Sequence, residues 1–254
     1  MVSGTPVHFA RLTYEEAERA AAGGAVLILP AGSTEPHGPH LPLDTDVVIS
    51  EAMAIRAVGL LRGRGGDAYV LPPISYAVTD FARGFGGAVS ISRATATAVI
   101  AEACVALIRQ GFARIAIASA HLEPAHLASI RDAVAWVRSE TQIDVLFPDI
   151  TSKRWGRMLS EEFRSGACHA GRFETSIVMA RRAGDVRESV RATLPATTIS
   201  LSRMIKDGVG SFRDAGIDRA YCGDPASATA DEGSASIDTL ALILATAITE
   251  GRSE

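Results

Sequence analysis

Short, wholly apolar runs alternate along this chain with longer stretches whose apolar residues recur every three or four positions. Residues 25–29 (AVLIL) carry no polar position on either face and are closed by Pro30 and Gly32. Such a run predicts a strand buried on both sides, as in a parallel sheet covered by helices. Residues 68–71, ending at Pro72 and Pro73, and residues 114–119 and 143–147 predict further strands. Between them the three-to-four spacing predicts helices over 47–61, 93–110 and 124–140, and near the end over 237–248. Ser92 stands ready to cap the second helix, and Gly111 stops it. Strand, crossover helix and strand in repetition predict a three-layer α/β/α domain with a mostly parallel central sheet. No repeat or linker divides the chain, so it reads as one domain over 1–254. Residues 197–236, rich in Gly, Asp and Ser, read as surface loops or an oligomer contact.

Composition narrows the function classes. Lys and Arg number 25 against 29 Asp and Glu, a net charge of −4, which argues against nucleic acid or an anionic membrane as the main partner. No apolar run approaches the ~20 residues of a membrane span. The start of the chain lacks the basic-then-apolar layout of a signal peptide, so a cytoplasmic location is expected. Three cysteines without C-x-x-C spacing disfavour both a disulfide framework and a thiolate zinc site. Cys104, in an Ala-rich helix, reads as a small buried hydrophobe.

In an open parallel sheet ligands bind beyond the carboxyl ends of the strands, so the residues that follow each apolar run carry the chemistry. After the first run comes PAGSTEPHGPHLPLDTD, residues 30–46, with Glu35, His37, His40, Asp44 and Asp46. After the third comes SAHLEPAH, with His121 and Glu123, and a separate block, HAGRFETS, supplies His169 and Glu174. In extended chain, residues two apart point the same way, so Glu35 and His37 share a face, as do His121 and Glu123. Two such pairs and Asp46 give five nitrogen and oxygen ligands suited to Zn, Mn or Fe. The odd carboxylate between two pairs suggests a bridge in a dinuclear site. His40 and Asp44 are expected to support the ligands from behind, and His126, inside a helix, to be structural.

The string LPAGSTEPHGPHLPLDTD closely resembles the opening signature of the creatininase (creatinine amidohydrolase) superfamily. FGGAVSIS at 85–92, SAHLEP and HAGRFETS resemble its later blocks, in order. The resemblance implies a metal-dependent amidohydrolase of three-layer fold, usually a homohexamer, that hydrolyses cyclic amides or formamides. It places Glu35, Asp46 and His121 on one metal and His37, Asp46 and Glu123 on the other, with Asp46 bridging. It makes His169 the proton-transfer histidine and sets Glu174 beside the metals. The expected cofactors are two divalent ions, Zn or Mn, with Fe also compatible. Bound together, such ions bring the pKa of water from 15.7 toward ~7, so that hydroxide can attack an amide carbonyl.

Departures from the family bear on substrate. Creatinine-opening members carry an aromatic between the His and Glu of the second segment, where this chain has Leu122, and a Trp before the third, where it has Arg-Ser-Gly-Ala-Cys. Trp155 is then the aromatic candidate for the pocket, with Leu122 and Ser75 as further substrate contacts. The leading expectation is hydrolysis of a small, creatinine-like cyclic amide; the alternative is a formamide or peptide bond. A cysteine amidase using Cys168, or a non-catalytic metal-binding protein, ranks below both.

Overall fold

The structure, a computed structural model, describes residues 7–167 and 169–253. Its elements are α1 (Tyr14–Ala22), β1 (Val26–Ala31), α2 (Thr45–Arg62), β2 (Ala68–Val70), α3 (Arg93–Arg109), β3 (Arg114–Ser119) and α4 (Pro124–Thr141). There follow α5 (Lys153–Gly156), α6 (Glu161–Ser165), α7 (Arg172–Arg182), α8 (Glu188–Arg191), α9 (Leu201–Lys206) and α10 (Ala230–Glu250). The strands form a parallel sheet in the order β2-β1-β3.

Every residue of β1 is buried, because each face of the sheet meets its own apolar cluster. Val26 and Ile28 pack with α2, α7 and α10, while Leu27 and Leu29 pack with α3 and α4. The three-layer expectation therefore holds, around a smaller sheet than predicted. Residues 143–147 form no strand: Leu146 makes a single parallel bridge to Ala116, held by Ile117 N–H to Leu146 O at 2.7 Å and Leu146 N–H to Ile115 O at 2.9 Å. An edge segment needs only one partner, so its apolar run marks burial rather than a full ladder.

The irregular stretch is also more helical than its composition suggests. α9 lies within it, and α10 begins at Ala230, capped by the Thr229 hydroxyl, seven residues before the apolar spacing becomes visible. α1, opened by a capping box of Thr13 and Glu16, and α7 carry no expectation from the sequence. Among the described residues no helix is long and apolar enough to cross a membrane.

The strand order positions the site. β2 lies on one side of β1 and β3 on the other, so the loops leaving β1 and β3 diverge to opposite faces and open a crevice between them. The β1–β3 register runs to Ala31 opposite Ser119, which starts both loops side by side at one rim. A parallel bridge from Ala31 to Ile74 brings the chain after β2 to the same rim.

Candidate metal centre

Three loops and two helix N-termini converge on this rim. The chain leaves β1 at Gly32, where a Cβ would stand 2.6 Å from the Val47 nitrogen, so only glycine lets the strand end pass so close to α2. That approach sets Asp46, in the first turn of α2, directly over the strand tip. The positive end of an 18-residue helix favours an ionised carboxylate there. Glu174 occupies the first turn of α7 in the same way, its carboxylate accepting the Ala170 N–H.

Three imidazoles follow one rule. His37 Nδ1 lies 3.2 Å from the Glu35 carbonyl, His121 Nε2 lies 2.8 Å from the Val78 carbonyl, and His169 Nε2 lies 2.9 Å from the Pro36 carbonyl. A carbonyl can only accept, so each of these nitrogens bears the proton when the ring is neutral, and the other nitrogen presents its lone pair to the centre. Those free nitrogens meet carboxylates. His37 Nε2 stands 3.2 Å from Asp46 Oδ1, 3.7 Å from Glu174 Oε2 and 3.9 Å from Glu35 Oε1. His121 Nδ1 stands 3.1 Å from Asp46 Oδ2 and 3.4 Å from Glu35 Oε1, and His169 Nδ1 stands 3.8 Å from the same Glu35 oxygen. Asp46 thus turns one oxygen to each of two histidines, the disposition of a bridging ligand.

Lone pairs facing carboxylates repel unless a cation lies between them. Burial works against a charged His37 ring, yet Asp46, then Glu174 and Glu35, overcome it and raise its pKa to about 10. Burial likewise opposes charge on His121, and Glu35 and Asp46 raise it well above the ordinary imidazole value. For Glu35, burial is outweighed by His121, which holds the carboxyl down at about 2. Burial lifts Glu174 to about 8, and burial followed by the His37 charge lowers His169 to about 4. The centre calls for positive charge that the protein itself supplies only by protonating histidines.

The donor set fits divalent metal ions on that ground and on geometry. His37 Nε2 is buried with no hydrogen-bond partner. Ligand atoms of Glu35, Asp46 and His121, and those of His37, Asp46 and Glu174, lie within 4.8 Å of one another as two groups that share Asp46. Glu35, His37 and His169 form a third such group. Nitrogen and oxygen donors of this kind suit Zn or Mn.

The expected residues divide accordingly. Glu35, His37, Asp46, His121, His169 and Glu174 come together. Glu123 lies at the wall beside them, outside these groups, with its carboxylate accepting N–H bonds of 3.1 Å from both Asp80 and Phe81; burial raises it to about 6. His40 lies behind the centre, with Nε2 2.9 Å from the hydroxyl of Thr175, the neighbour of Glu174. Asp44 faces outward, paired with Arg182 at 2.8 Å. His126 packs against the His121 ring at 4.9 Å and meets Ser119. Leu122 lines the cavity that opens on the centre; Trp155 and Ser75 do not. Trp155 is buried in the core, donating its indole N–H to the Ser253 carbonyl, and Ser75 uses its carbonyl to hold Thr34. Cys104 is a buried free thiol, and Cys168 lies outside the described residues.

Three contributors lie outside the expected set. The Ser33 hydroxyl donates to Asp46 Oδ2 at 2.7 Å, and the Thr79 hydroxyl donates to Glu35 Oε2. Phe212 stacks on His169 with ring centres 4.3 Å apart. Ser33 sits inside the first motif and could have been suspected; Thr79 and Phe212 arrive from distant loops.

Known proteins share both sequence and fold with this chain. The profile described as Creatininase: Creatinine amidohydrolase matches residues 10–248. The mycofactocin precursor peptide peptidase of Mycolicibacterium smegmatis is 31% identical over 217 residues, covering 82% of this chain and 78% of that protein. The creatinine amidohydrolase of Pseudomonas putida is 31% identical over 123 residues, 46% of this chain and 45% of its own. Among solved structures, a manganese creatininase superposes with a TM-score of 0.75 at 21% identity, covering 97% of this chain and 99% of its own. A zinc–zinc form of a creatininase variant gives 0.75 at 22%, covering 97% and 98%. The chain belongs to the creatininase family, whose members are hydrolases acting on amide bonds.

Proposed function

We propose that this protein is a dinuclear metal-dependent amidohydrolase. The observation that carries the reading is the pair of triads sharing Asp46, each drawing on a histidine whose other nitrogen is fixed on a backbone carbonyl. Glu35, Asp46 and His121 would hold one ion, and His37, Asp46 and Glu174 the other. When bound, the ions supply a Lewis acid for the amide carbonyl and make hydroxide available near neutral pH. The protein's own groups do the rest. His169 has Nε2 committed to Pro36, so Nδ1 presents its lone pair to the centre; it would take the proton given up by the attacking water and hand it to the leaving nitrogen, ending neutral as it began. Phe212 covers that ring and keeps bulk water from it. Glu123, anchored by two backbone N–H groups on the cavity wall, orients the attacking water.

The motifs favour a small cyclic amide. A second reading, a peptide bond, is favoured by a cavity of about 580 Å³, more room than a five-membered ring fills, and by the peptidase relatives. Purified protein loaded with Zn or Mn and offered creatinine, small lactams, N-formyl-aminopyrimidines and short peptides tests the reading. It should cleave one class, hold two ions per chain and lose activity with EDTA. Chelator-resistant turnover would sink it and turn attention to Cys168.

A further inference from the structure

The cavity above the centre changes sign from floor to mouth. Among its described lining residues the carboxylates are Glu35, Asp46, Glu123 and Glu174, none more than 8% exposed. The cations that line it, Lys153, Arg157, Arg164 and Lys206, are exposed and pair with no carboxylate among the described residues. Arg131 also lines it but is already tied to Asp149. Buried acids therefore form the floor and unpaired cations the mouth. In a chain whose net charge is −4, four cations left without partners around one opening are not explained by overall balance. They come from three short elements, α5 and the residue after it, α6, and α9, so chain proximity alone does not gather them.

We propose that the amide hydrolysed here carries an anionic group, a carboxylate or a phosphate, which these cations receive while the scissile bond reaches the floor. The inference rests on the amidohydrolase reading above and extends it to a substrate class. A loaded floor is itself a place of positive charge, so floor and mouth would draw the same ligand. Walls of low dielectric, here Leu122, Phe163, Leu201 and Phe212, concentrate such a field and raise the capture rate of an anion. Cavities of roughly 300–1,000 Å³ enclose ligands well beyond a single small ring, so there is room for the reacting amide and a charged group together.

Equilibrium dialysis of the metal-loaded protein against tri-alanine, tri-alanine amide and Ala-Ala-phosphoserine amide, read by mass spectrometry, reports binding and cleavage separately. At least one anionic probe should bind roughly tenfold more tightly than tri-alanine amide, a modest factor because exposed ion pairs are individually weak. Which of the two gains identifies carboxylate or phosphate. The preference should shrink as salt rises toward ~0.5 M. It should vanish in the variant combining Lys153→Ala, Arg157→Ala, Arg164→Ala and Lys206→Ala, with metal content and affinity for the neutral probe kept. Should that variant fold poorly, Lys206→Glu alone should lose part of the preference. Equal affinities, no measurable binding of either anionic probe, or a preference that survives the substitutions overturns the proposal. Absent cleavage with intact preference counts against the amidohydrolase reading instead.

Discussion

The floor of the site and its mouth are built from different kinds of structure. Glu35, His37, Asp46 and His121 stand on segments that leave a hydrogen-bonded sheet at one rim. The other half, residues 151–229, carries His169, Glu174, Phe212 and the mouth on short helices and loops. This second part packs on the first through Phe173, Ile177 and Val178 of α7, and polar contacts cross the seam, among them His169 to the Pro36 carbonyl, Thr175 to His40, Arg182 to Asp44, and the Gly38 N–H to the Ala220 carbonyl at 2.6 Å. A rigid rim suits a set of ligands that must meet at fixed distances, while loops suit a wall that selects what reaches them. Substitutions in the first half should change metal content, and those in the second, the ligand Glu174 apart, should change turnover.

Asp46→Ala tests this division with the largest effect. One side chain faces His37 with one oxygen and His121 with the other. Its removal should empty both positions, measured by elemental analysis, and abolish activity. Retention of one full equivalent of metal would show that the two positions are independent.

His169→Ala probes the opposite half. Its ring lies between His37 at 4.4 Å and Phe212 at 4.3 Å. The variant should keep both ions and lose turnover by ~10²- to 10⁴-fold, the usual contribution of a positioned proton donor. Loss of metal in step with activity would move His169 into the ligand set, where its 3.8 Å approach to Glu35 leaves room for it.

The same contrast explains what the sequence discloses. β1 is legible because a strand buried on both faces needs an unbroken apolar run, and its companions at 68–70 and 114–119 obey the same rule. The ligands of the rim follow from it, since alternation in an extended segment sends Glu35 and His37 to one side. That logic stops at Glu123. His121 reaches the centre while Glu123, two residues on, is captured by the N–H groups of Asp80 and Phe81, partners 42 and 43 positions away that local spacing cannot reveal. Trp155 fails as a pocket residue for a similar reason: its indole finds the Ser253 carbonyl across 98 positions and goes inward. Phe212 lies in a stretch whose composition reads as loop, so nothing local marks it as the cover of His169.

Ser33→Ala sharpens the comparison at smaller scale, since it alters the floor without removing a ligand. The hydroxyl is buried and its only donated bond goes to Asp46. Losing it frees the carboxylate to rotate, and groups that orient ligands in this way are worth ~10- to 100-fold in metal affinity or activity. Metal titration should show weaker binding, with kcat nearly restored at saturating metal. A kcat that stays low at full occupancy would instead place Ser33 in the chemistry.

The smallest effect concerns the seam between the halves, at His40. Burial, then the His37 and Arg191 charges, lower its pKa to about 4 from an ordinary 6.5. A histidine whose folded value is depressed contributes stability fully above pH 6.5, and loses it as the unfolded chain takes up a proton first. Between pH 7 and 5 this single group should cost the native state roughly 1 to 2 kcal/mol. Glutamine keeps a polar end group near Thr175 but does not titrate in that range. His40→Gln should therefore unfold more easily than the parent at pH 7 yet lose less stability on acidification, as denaturant midpoints at the two pH values would show. Parallel losses in both proteins would mean that His40 takes up a proton equally in the folded and the unfolded chain, and that burial does not hold it neutral.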